Sequence, residues 1–400
     1  MKNIGIIGDG ITCMLSALAL SLHNKSILIF ADQNKKTSKT SSERHFSINL
    51  LSKHMLIKLG IWDKIKSSDI TEYSKITTFD QPSKSFITFD SSLISYDYLG
   101  YIIKESALIK IIENEINKNK SISFYNACDI LTIENLKTKS MILLKNKKSI
   151  DLDLLIYTNH GFESNLLELD IKFIKQNYNQ KALVANIKAT NNGKHNHPFQ
   201  VFNNEDILGV LPTDKGNYNL IWSTTETKAK KIALENNSLL LRDLNSLLED
   251  HIGKINYSSQ PKTFPFSGFH AKKYYHNRVV LIGSAAHSVH PLAGLGLNMT
   301  MSDIFILENL LAKEKLSNIT TNLLKLYNSY CLFSNNKTYY AINYIKDFYE
   351  SNALPKTLKH HIFNVFENNS ILKYNVIKEA TGIKTLSMLL EEKYYQSYQY

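Results

Sequence analysis

The stretch GSAAHSVHPLAGLGLN, residues 283–298, lies between a strand-like run, RVVLI (278–282), and a helix-like run, MTMSDIFILENLLA (299–312). It contains small residues, two histidines, one proline and the closely spaced glycines Gly294 and Gly296. Glycines directly before a helix leave their N–H groups accessible, and the helix dipole adds partial positive charge there. The pattern therefore predicts that a planar ligand with a negative edge, such as a reduced flavin, comes close to this backbone.

A second glycine turn lies near the N-terminus, where residues 3–32 read as strand, turn, helix and strand. In such a dinucleotide-binding unit, Gly8 makes the tight turn and Gly10 lets a pyrophosphate approach the helix N-terminus. Asp32, 22 residues after Gly10, is placed to hold a ribose hydroxyl. Cys13 occupies the position of the third glycine. The alternative is an ordinary glycine turn in an α/β protein.

Composition indicates a folded protein of ordinary type. The chain has 400 residues, of which 43% are hydrophobic and 21% charged, enough for two domains or one composite domain. Its net charge of +11 is carried mostly by lysine, which favours a solvated surface, with attraction to an anionic membrane face as the alternative. Arginines are too few to indicate a nucleic-acid partner.

Location is predicted from cysteines and hydropathy. The three cysteines form neither a disulfide framework nor a metal-ligand spacing, so no metal site is expected and a reducing compartment is indicated. The sequence contains no run of 18 apolar residues, so we expect no transmembrane helix. These features predict a cytoplasmic protein, with peripheral contact at the inner face of the membrane as an open alternative.

The glycine loop resembles that of the ubiquinone-biosynthesis aromatic hydroxylases, a branch of the class A flavin monooxygenases. Their loop reads G-D-A-A-H-x-x-x-P-x-x-G-x-G-x-N-x-G and is followed by a helix with an aspartate, here Asp303. The spelling HPLAG, at 290–294, is typical of that branch. Three further segments resemble the family, namely SERHFSINLLSKHMLIKLGIWDKI (42–65), FQVFNNEDILGVLPT (199–213) and IKEATGI (377–383). In the first of these, residues 47–65 have helical spacing.

The resemblance implies an α/β fold with a Rossmann-like FAD-binding domain of the class A type, an inserted β-rich substrate domain and a helical C-terminal tail. The implied boundaries place residues 1–71, 99–160 and 269–320 in the FAD-binding domain, 72–98 and 161–268 in the substrate domain, and 321–400 in the C-terminal helical region.

The resemblance also assigns cofactor contacts. Gly8 and Gly10 would contact the FAD pyrophosphate, and Asp32 would contact the adenosine ribose. Arg44 would contact the cofactor elsewhere. The remaining predicted cofactor-binding residues are Gly283, Ser284, Pro291, Gly294, Gly296, Leu297 and Asn298. No side chain is assigned a catalytic role.

The implied activity is FAD-dependent hydroxylation of the aromatic ring of a polyprenylated phenol. The implied co-substrates are O2 and an electron donor, either NAD(P)H or another reductant. Other ubiquinone-biosynthesis proteins are the implied partners. A nicotinamide dehydrogenase is a weaker alternative, because it does not explain residues 283–303.

The chain departs from the family motifs at several positions. The aspartate expected after Gly283 is Ser284, which can donate one hydrogen bond but supplies no carboxylate acceptor. The motif A-D-G-x-x-S-x-x-R is NHGFESNLL (159–167), with His160 and Leu167 in place of aspartate and arginine. Each lost partner weakens flavin binding by about 1–3 kcal/mol. The departures therefore keep a second hypothesis open, a non-catalytic relative that serves as a partner in ubiquinone synthesis.

Overall fold

The computed structural model describes most of the chain. The described residues are 3–23, 26–32, 44–159, 169–190, 195–214, 216–234, 237–312, 319–350 and 354–397. The helices are α1 (Gly10–Ser21), α2 (Leu50–Lys58), α3 (Glu105–Lys118), α4 (Glu226–Leu234), α5 (Asn237–Ile252), α6 (Gly296–Ala312), α7 (Thr321–Glu350), α8 (Lys356–Glu367), α9 (Ser370–Ala380) and α10 (Ile383–Ser397).

The strands are numbered in chain order. They are β1 (Asn3–Ile7), β2 (Ser26–Ala31), β3 (His45–Asn49), β4 (Ile70–Tyr73), β5 (Lys75–Asp80), β6 (Ser85–Asp90), β7 (Gly100–Lys104), β8 (Ile122–Asn126), β9 (Ile130–Asn135), β10 (Ser140–Leu144), β11 (Ser149–Leu152), β12 (Leu154–Tyr157), β13 (Phe173–Gln176), β14 (Gln180–Ala189), β15 (Phe199–Asn203), β16 (Asp206–Asp214), β17 (Asn217–Thr225), β18 (Ile255–Ser258), β19 (Lys262–Pro265), β20 (Gly268–Ala271), β21 (Tyr275–His276), β22 (Val279–Leu281) and β23 (His287–Ser288).

The central sheet carries the predicted strand–turn–helix–strand unit. Its order is β21-β22-β12-β1-β2-β8. The strands from β22 to β8 are parallel, and β21 pairs antiparallel at one edge. Ile4, Ile6 and residues 154–157 are fully buried, because a parallel sheet is covered on both faces. Helix α1 packs on β1 and β2 and contacts α3 and α6.

A second sheet is assembled from distant parts of the chain. Its order is β18-β14-β17-β16-β15-β5-β6, and β19 also pairs with β14. The hairpin β5–β6 joins through parallel pairing of β5 with β15. Trp222 is fully buried in a core that includes Leu244 and Leu248 of α5. Its indole N–H donates to Asp206 at 3.1 Å, which satisfies the one polar group of this side chain.

The helical spacing predicted for residues 47–65 is correct only in part. Residues up to Asn49 form β3, which pairs antiparallel with β7. The Asn49 side chain accepts a hydrogen bond from the Ser52 N–H at 2.9 Å, so it caps α2, and the helix ends at Lys58. Pairing with a strand that lies about 50 residues later in the chain overrides the local helical pattern.

The C-terminal region is helical, as predicted. Helix α7 packs against α6, α8 against β6, α9 against the 3-10 turn Ser91–Ile94, and α10 against α2. One apolar cluster includes Phe363 of α8, Tyr349 of α7, Phe202 of β15 and Leu292 of the glycine loop. Among the helices that the structure describes, none combines the length and apolar character needed to cross a bilayer.

Candidate cofactor site

The N-terminal glycine turn has a backbone that favours glycine. Gly8 and Gly10 have φ values of 144° and 79°. The Gly8 N–H donates to the Phe30 carbonyl at 3.1 Å and so joins the turn to the end of β2. A Cβ on Gly8 would overlap the Thr158 hydroxyl, whereas a Cβ on Gly10 would meet no atom of the described residues within 4 Å. Gly8 therefore packs against the end of β12, and Gly10 borders open space.

The start of α1 is suited to an anionic ligand. The Asp9 side chain forms no capping bond to α1, whose first turn has no acidic residue. The Asn159 side chain instead donates to the Asp9 carboxylate. The first N–H groups of α1 are thus left for a phosphate group. Asp32 directly follows β2, at the carboxyl edge where Gly8 lies, and is half-buried.

Gly283 brings the starts of α1 and α6 together. Its φ is 57°, and a Cβ there would lie 2.8 Å from Thr300 and 3.0 Å from Thr12. Thr12 belongs to the first turn of α1, and Thr300 follows the first turn of α6. Two helix N-termini therefore lie near one edge of the central sheet. Their dipoles add at this edge and favour negatively charged ligand groups.

The loop before α6 is open next to its glycines. Pro291 precedes the 3-10 turn Leu292–Gly294, and α6 begins at Gly296. Gly294 has φ of 60°, and a Cβ there would meet only Ser47, at 3.4 Å, among the described atoms. A Cβ on Gly296 would meet none of them within 4 Å. This open space beside backbone N–H groups fits the anionic edge of a flavin, so the residues present suit FAD.

Asn298 holds this loop in place through its side chain. Its carboxamide oxygen accepts from the Asn49 N–H at 2.9 Å and from the Ser52 hydroxyl at 2.8 Å. Its amide group donates to the carbonyls of Ser47 and Gly294 at 2.8 and 3.3 Å. All four hydrogen-bonding positions of the carboxamide are used within the protein. Asn298 therefore positions the glycine loop against β3 and α2, while the neighbouring Leu297 is half-buried.

Ser284 differs from the expectation drawn from the sequence. Its side chain is exposed, but its hydroxyl donates to the Thr158 carbonyl at 2.9 Å. A serine has one proton to donate, so this proton is not available to a cofactor. The oxygen retains a lone pair that can accept from a ligand hydroxyl. Ser284 thus keeps a weak form of the acceptor role of the family aspartate, and not the donor role that we expected.

Asp303 is the centre of a buried polar network behind Gly283. One carboxylate oxygen accepts from the Gly283 N–H at 3.1 Å and bonds to His287 at 2.8 Å. The other accepts from the Asn335 side chain at 2.8 Å, and Asn335 also donates to the Tyr274 hydroxyl at 2.9 Å. The network joins α6, α7 and the Gly283 turn. No sequence signal pointed to Asn335, because it lies 32 residues from Asp303 on another helix.

His290 connects the glycine loop to the second sheet. Its Nε2 bonds to the Gln180 side-chain oxygen at 2.9 Å, and its Nδ1 accepts from the Leu292 N–H at 3.2 Å. The ring packs edge-on against Tyr178 and Phe266. Burial lowers the pKa of His290 to about 3, with a smaller effect from nearby Lys346. The imidazole is therefore neutral and donates from Nε2. Gln180 was not predicted, since it lies 110 residues away in sequence.

We expect acid to destabilise the protein through its buried histidines. Burial lowers the pKa of His290 to about 3 and that of His270 to about 4, against about 6.5 in the unfolded chain. Below pH 6.5 the unfolded chain binds more protons, so the free energy of unfolding falls by up to about 1.4 kcal/mol per histidine and pH unit. Well above pH 6.5 these groups contribute no slope. Urea unfolding at pH 7 and pH 5 measures this change. We expect the free energy of unfolding to fall less in His290→Gln than in the wild type, and equal stability of the wild type at both pH values would contradict the prediction.

Arg44 directly precedes β3, which begins at His45. Its guanidinium is 3.9 Å from Glu105 and about 48% exposed, and it lies over the Phe264 ring at 5.3 Å. Its cofactor contact stays a prediction. His160 and Leu167, the departures in the middle of the chain, lie outside the described residues.

Known proteins resemble this chain over most of its length. A family model described as FAD binding domain matches residues 1–338. The mitochondrial ubiquinone biosynthesis monooxygenase COQ6 of Danio rerio is 26% identical over 355 residues, covering 77% of this chain and 73% of the relative. The ubiquinone hydroxylase UbiM of Neisseria meningitidis is 21% identical over 347 residues, covering 85% of this chain and 75% of the relative.

A solved structure gives the same result for the fold. The p-nitrophenol 4-monooxygenase PnpA of Pseudomonas putida has a TM-score of 0.72 at 13% identity, with 95% of this chain and 99% of that chain covered. The predicted fold class and the predicted resemblance are thus confirmed. Because the family model matches residues 1–338 of 400, the chain belongs to the FAD binding domain family.

Proposed function

We propose that this protein is an FAD-dependent monooxygenase that hydroxylates the aromatic ring of a polyprenylated phenol in ubiquinone biosynthesis. The observation that carries the proposal is the meeting of two helix N-termini at Gly283, with open space beside Gly10 and Gly296. The names of the COQ6 and UbiM relatives support the choice of reaction and substrate. O2 and NAD(P)H, or another reductant, are the proposed co-substrates, and other ubiquinone-biosynthesis proteins are the proposed partners.

The protein binds and orients the reactants in this proposal. FAD, when bound, supplies the redox chemistry and the activation of O2. The N–H groups at the start of α1 hold the pyrophosphate, and the start of α6 stabilises negative charge on the flavin edge. Asn298 and Asp303 keep Gly294 and Gly283 in place through the bonds described above. These residues prepare the site before the substrate arrives.

We place the substrate ring on the side of the loop where aromatic side chains cluster. His290, Tyr178 and Phe266 pack against one another next to Pro291. Burial raises the pKa of Tyr178 well above its usual value, so its hydroxyl stays protonated and donates to Asn343 at 2.7 Å. A phenol ring placed here would meet aromatic surfaces and little water. Water exclusion favours transfer of oxygen to the ring over side reactions.

One observation favours the second candidate, a non-catalytic partner protein. Ser284 supplies no carboxylate, and its hydroxyl proton is donated to the Thr158 carbonyl, so the residue offers the cofactor only a weak acceptor. A chain that had lost FAD would keep the fold and a surface for other proteins. Flavin binding separates the two candidates.

The first test is the visible absorption spectrum of the purified protein, before and after incubation with excess FAD and desalting. We expect a retained flavin spectrum. Ser284→Asp should tighten FAD binding by roughly tenfold, since one charge-assisted hydrogen bond adds about 1.5–3 kcal/mol less the lost bond to Thr158. Ser288→Asp, a half-buried serine four residues along the same loop, is the matched control and should leave the affinity unchanged.

A colourless protein that keeps no added FAD would overturn the monooxygenase proposal and favour the partner candidate. If flavin is retained, the decisive assay supplies reductant, O2 and a prenylated phenol and measures the hydroxylated product by mass spectrometry. Flavin retention without any product would leave the protein a flavoprotein of another activity.

A further inference from the structure

Helices α8 and α9 share a set of exposed aliphatic side chains. Each is between 39% and 71% exposed. The set consists of Leu358, Ile362 and Val365 on α8 and Ile371, Leu372 and Val376 on α9, and we name it the α8–α9 apolar face. The two helices contact each other and are joined by two residues. Single exposed apolar residues are ordinary, but a group of this kind marks an interaction surface.

Packing within the chain explains only one side of α8. Leu358, Ile362 and Val365 are spaced i, i+4 and i+7 and so lie along one side of the helix. Phe363 and Lys359 are buried on another side, where α8 packs against β6. The helix therefore has apolar residues on both an inner and an outer side. The outer side meets no other part of the chain that the structure describes closely enough to bury it.

The charge around the α8–α9 apolar face is positive. Residues 354–384 include five lysines and two glutamates, a net charge of +3 with neutral histidines. Both glutamates are paired with lysines, Glu367 with Lys373 at 3.3 Å and Glu379 with Lys384 at 2.8 Å. Lys359 is buried and donates to the Tyr349 carbonyl at 3.0 Å, so Lys356 and Lys378 are the two lysines of this segment left to attract anions, and the whole chain carries +11. Lysines beside an apolar helix face are suited to anionic lipid headgroups.

The inner side of the same helix leads to the cofactor site. Phe363 belongs to the apolar cluster that contains Tyr349, Phe202 and Leu292. Leu292 lies in the loop directly before Gly294. An unbroken set of apolar contacts thus runs from the flavin loop to α8. A surface next to α8 is therefore linked by packing to the loop that precedes Gly294.

We propose that the α8–α9 apolar face docks the protein on the surface of an anionic lipid bilayer. The face consists of aliphatic side chains with lysines nearby, whereas protein interfaces are enriched in aromatic residues and arginine. Tyr374, on α9, lies under Lys378 at 5.1 Å and is suited to the headgroup region. The purpose of docking rests on the proposed function, because a polyprenylated phenol resides in lipid. The docking itself does not depend on the proposed function.

The test measures binding of the full-length protein to vesicles by flotation. One set of vesicles is phosphatidylcholine alone, and the other is phosphatidylcholine mixed with phosphatidylglycerol. We expect binding to the mixed vesicles, and a loss of tenfold or more in the variant Ile362→Ser/Val365→Ser/Ile371→Ser. The matched control is Leu131→Ser/Leu136→Ser/Leu234→Ser, which removes equally exposed side chains elsewhere. It should bind like the wild type.

A variant with changed charge provides a second, independent test of lipid binding in case the triple variant folds poorly. Lys356→Glu/Lys378→Glu should weaken binding to mixed vesicles and leave the melting temperature unchanged. Wild-type protein that binds neither vesicle, or binding that neither variant weakens, would overturn the proposal. So would a dimer that the triple variant dissociates, because the face would then bind a second copy. A triple variant that loses vesicle binding but still hydroxylates a detergent-dispersed substrate would support docking. Wild-type protein that binds vesicles but hydroxylates no substrate would reject only the proposed function.

Discussion

Gly8→Ala is expected to lower the free energy of unfolding by about 3 kcal/mol, through backbone strain at a φ of 144° and overlap with the Thr158 hydroxyl. Gly10→Ala is expected to cost about 1 kcal/mol, since its φ of 79° is strained but its Cβ meets no described atom within 4 Å. The same methyl group would enter the space that we assign to the pyrophosphate. FAD affinity should therefore fall roughly tenfold to a hundredfold in Gly10→Ala.

The two variants form a matched pair, because both place an alanine at positive φ in one turn. Urea unfolding without added FAD measures the stability of each, and fluorescence titration with FAD measures the affinity. Our assignment predicts a stability loss mainly in Gly8→Ala and an affinity loss without comparable unfolding in Gly10→Ala. Unchanged FAD affinity in Gly10→Ala would show that the pyrophosphate does not pass this glycine.

Asp303→Ala is expected to destabilise the protein by about 3–5 kcal/mol. The change leaves the Gly283 N–H, the His287 ring and the Asn335 amide without their buried acceptor. Because Gly283 packs between Thr12 and Thr300, its movement would also separate the starts of α1 and α6. We therefore expect FAD affinity to fall together with stability.

Asp303→Asn removes the negative charge but keeps the size of the side chain, so it separates the two contributions to stability. The asparagine amide keeps one acceptor oxygen, but its NH2 group faces neighbours that are themselves donors. We therefore expect the free energy of unfolding to fall by about half as much as in Asp303→Ala. Thermal or urea unfolding gives the stability of both variants, and flavin content after desalting gives the second readout. Stability equal to the wild type in Asp303→Ala would contradict a central role for this carboxylate.

The elements predicted best were those whose pattern is local. The turn Gly8-Asp9-Gly10 lies between a buried strand and a helix, and its backbone bond from the Gly8 N–H to the Phe30 carbonyl lies within one βαβ unit. The loop at 283–298 was recognised for the same reason, since its glycines and proline act on the adjoining backbone. The strand β3 was missed because its partner β7 lies far along the chain, and local spacing alone favoured a helix.

Sequence alone therefore determined the N-terminal glycine turn and the glycine loop, because glycine and proline constrain the backbone at their own positions, and the order of these motifs indicated the family. Only the tertiary structure decided how these parts act together. It placed Gly283 between Thr12 and Thr300, directed the Ser284 hydroxyl to the Thr158 carbonyl, and joined His290 to Gln180 by a hydrogen bond. Each of these contacts joins residues brought close by packing of the two sheets and α6, and no spacing in the sequence records such a distance.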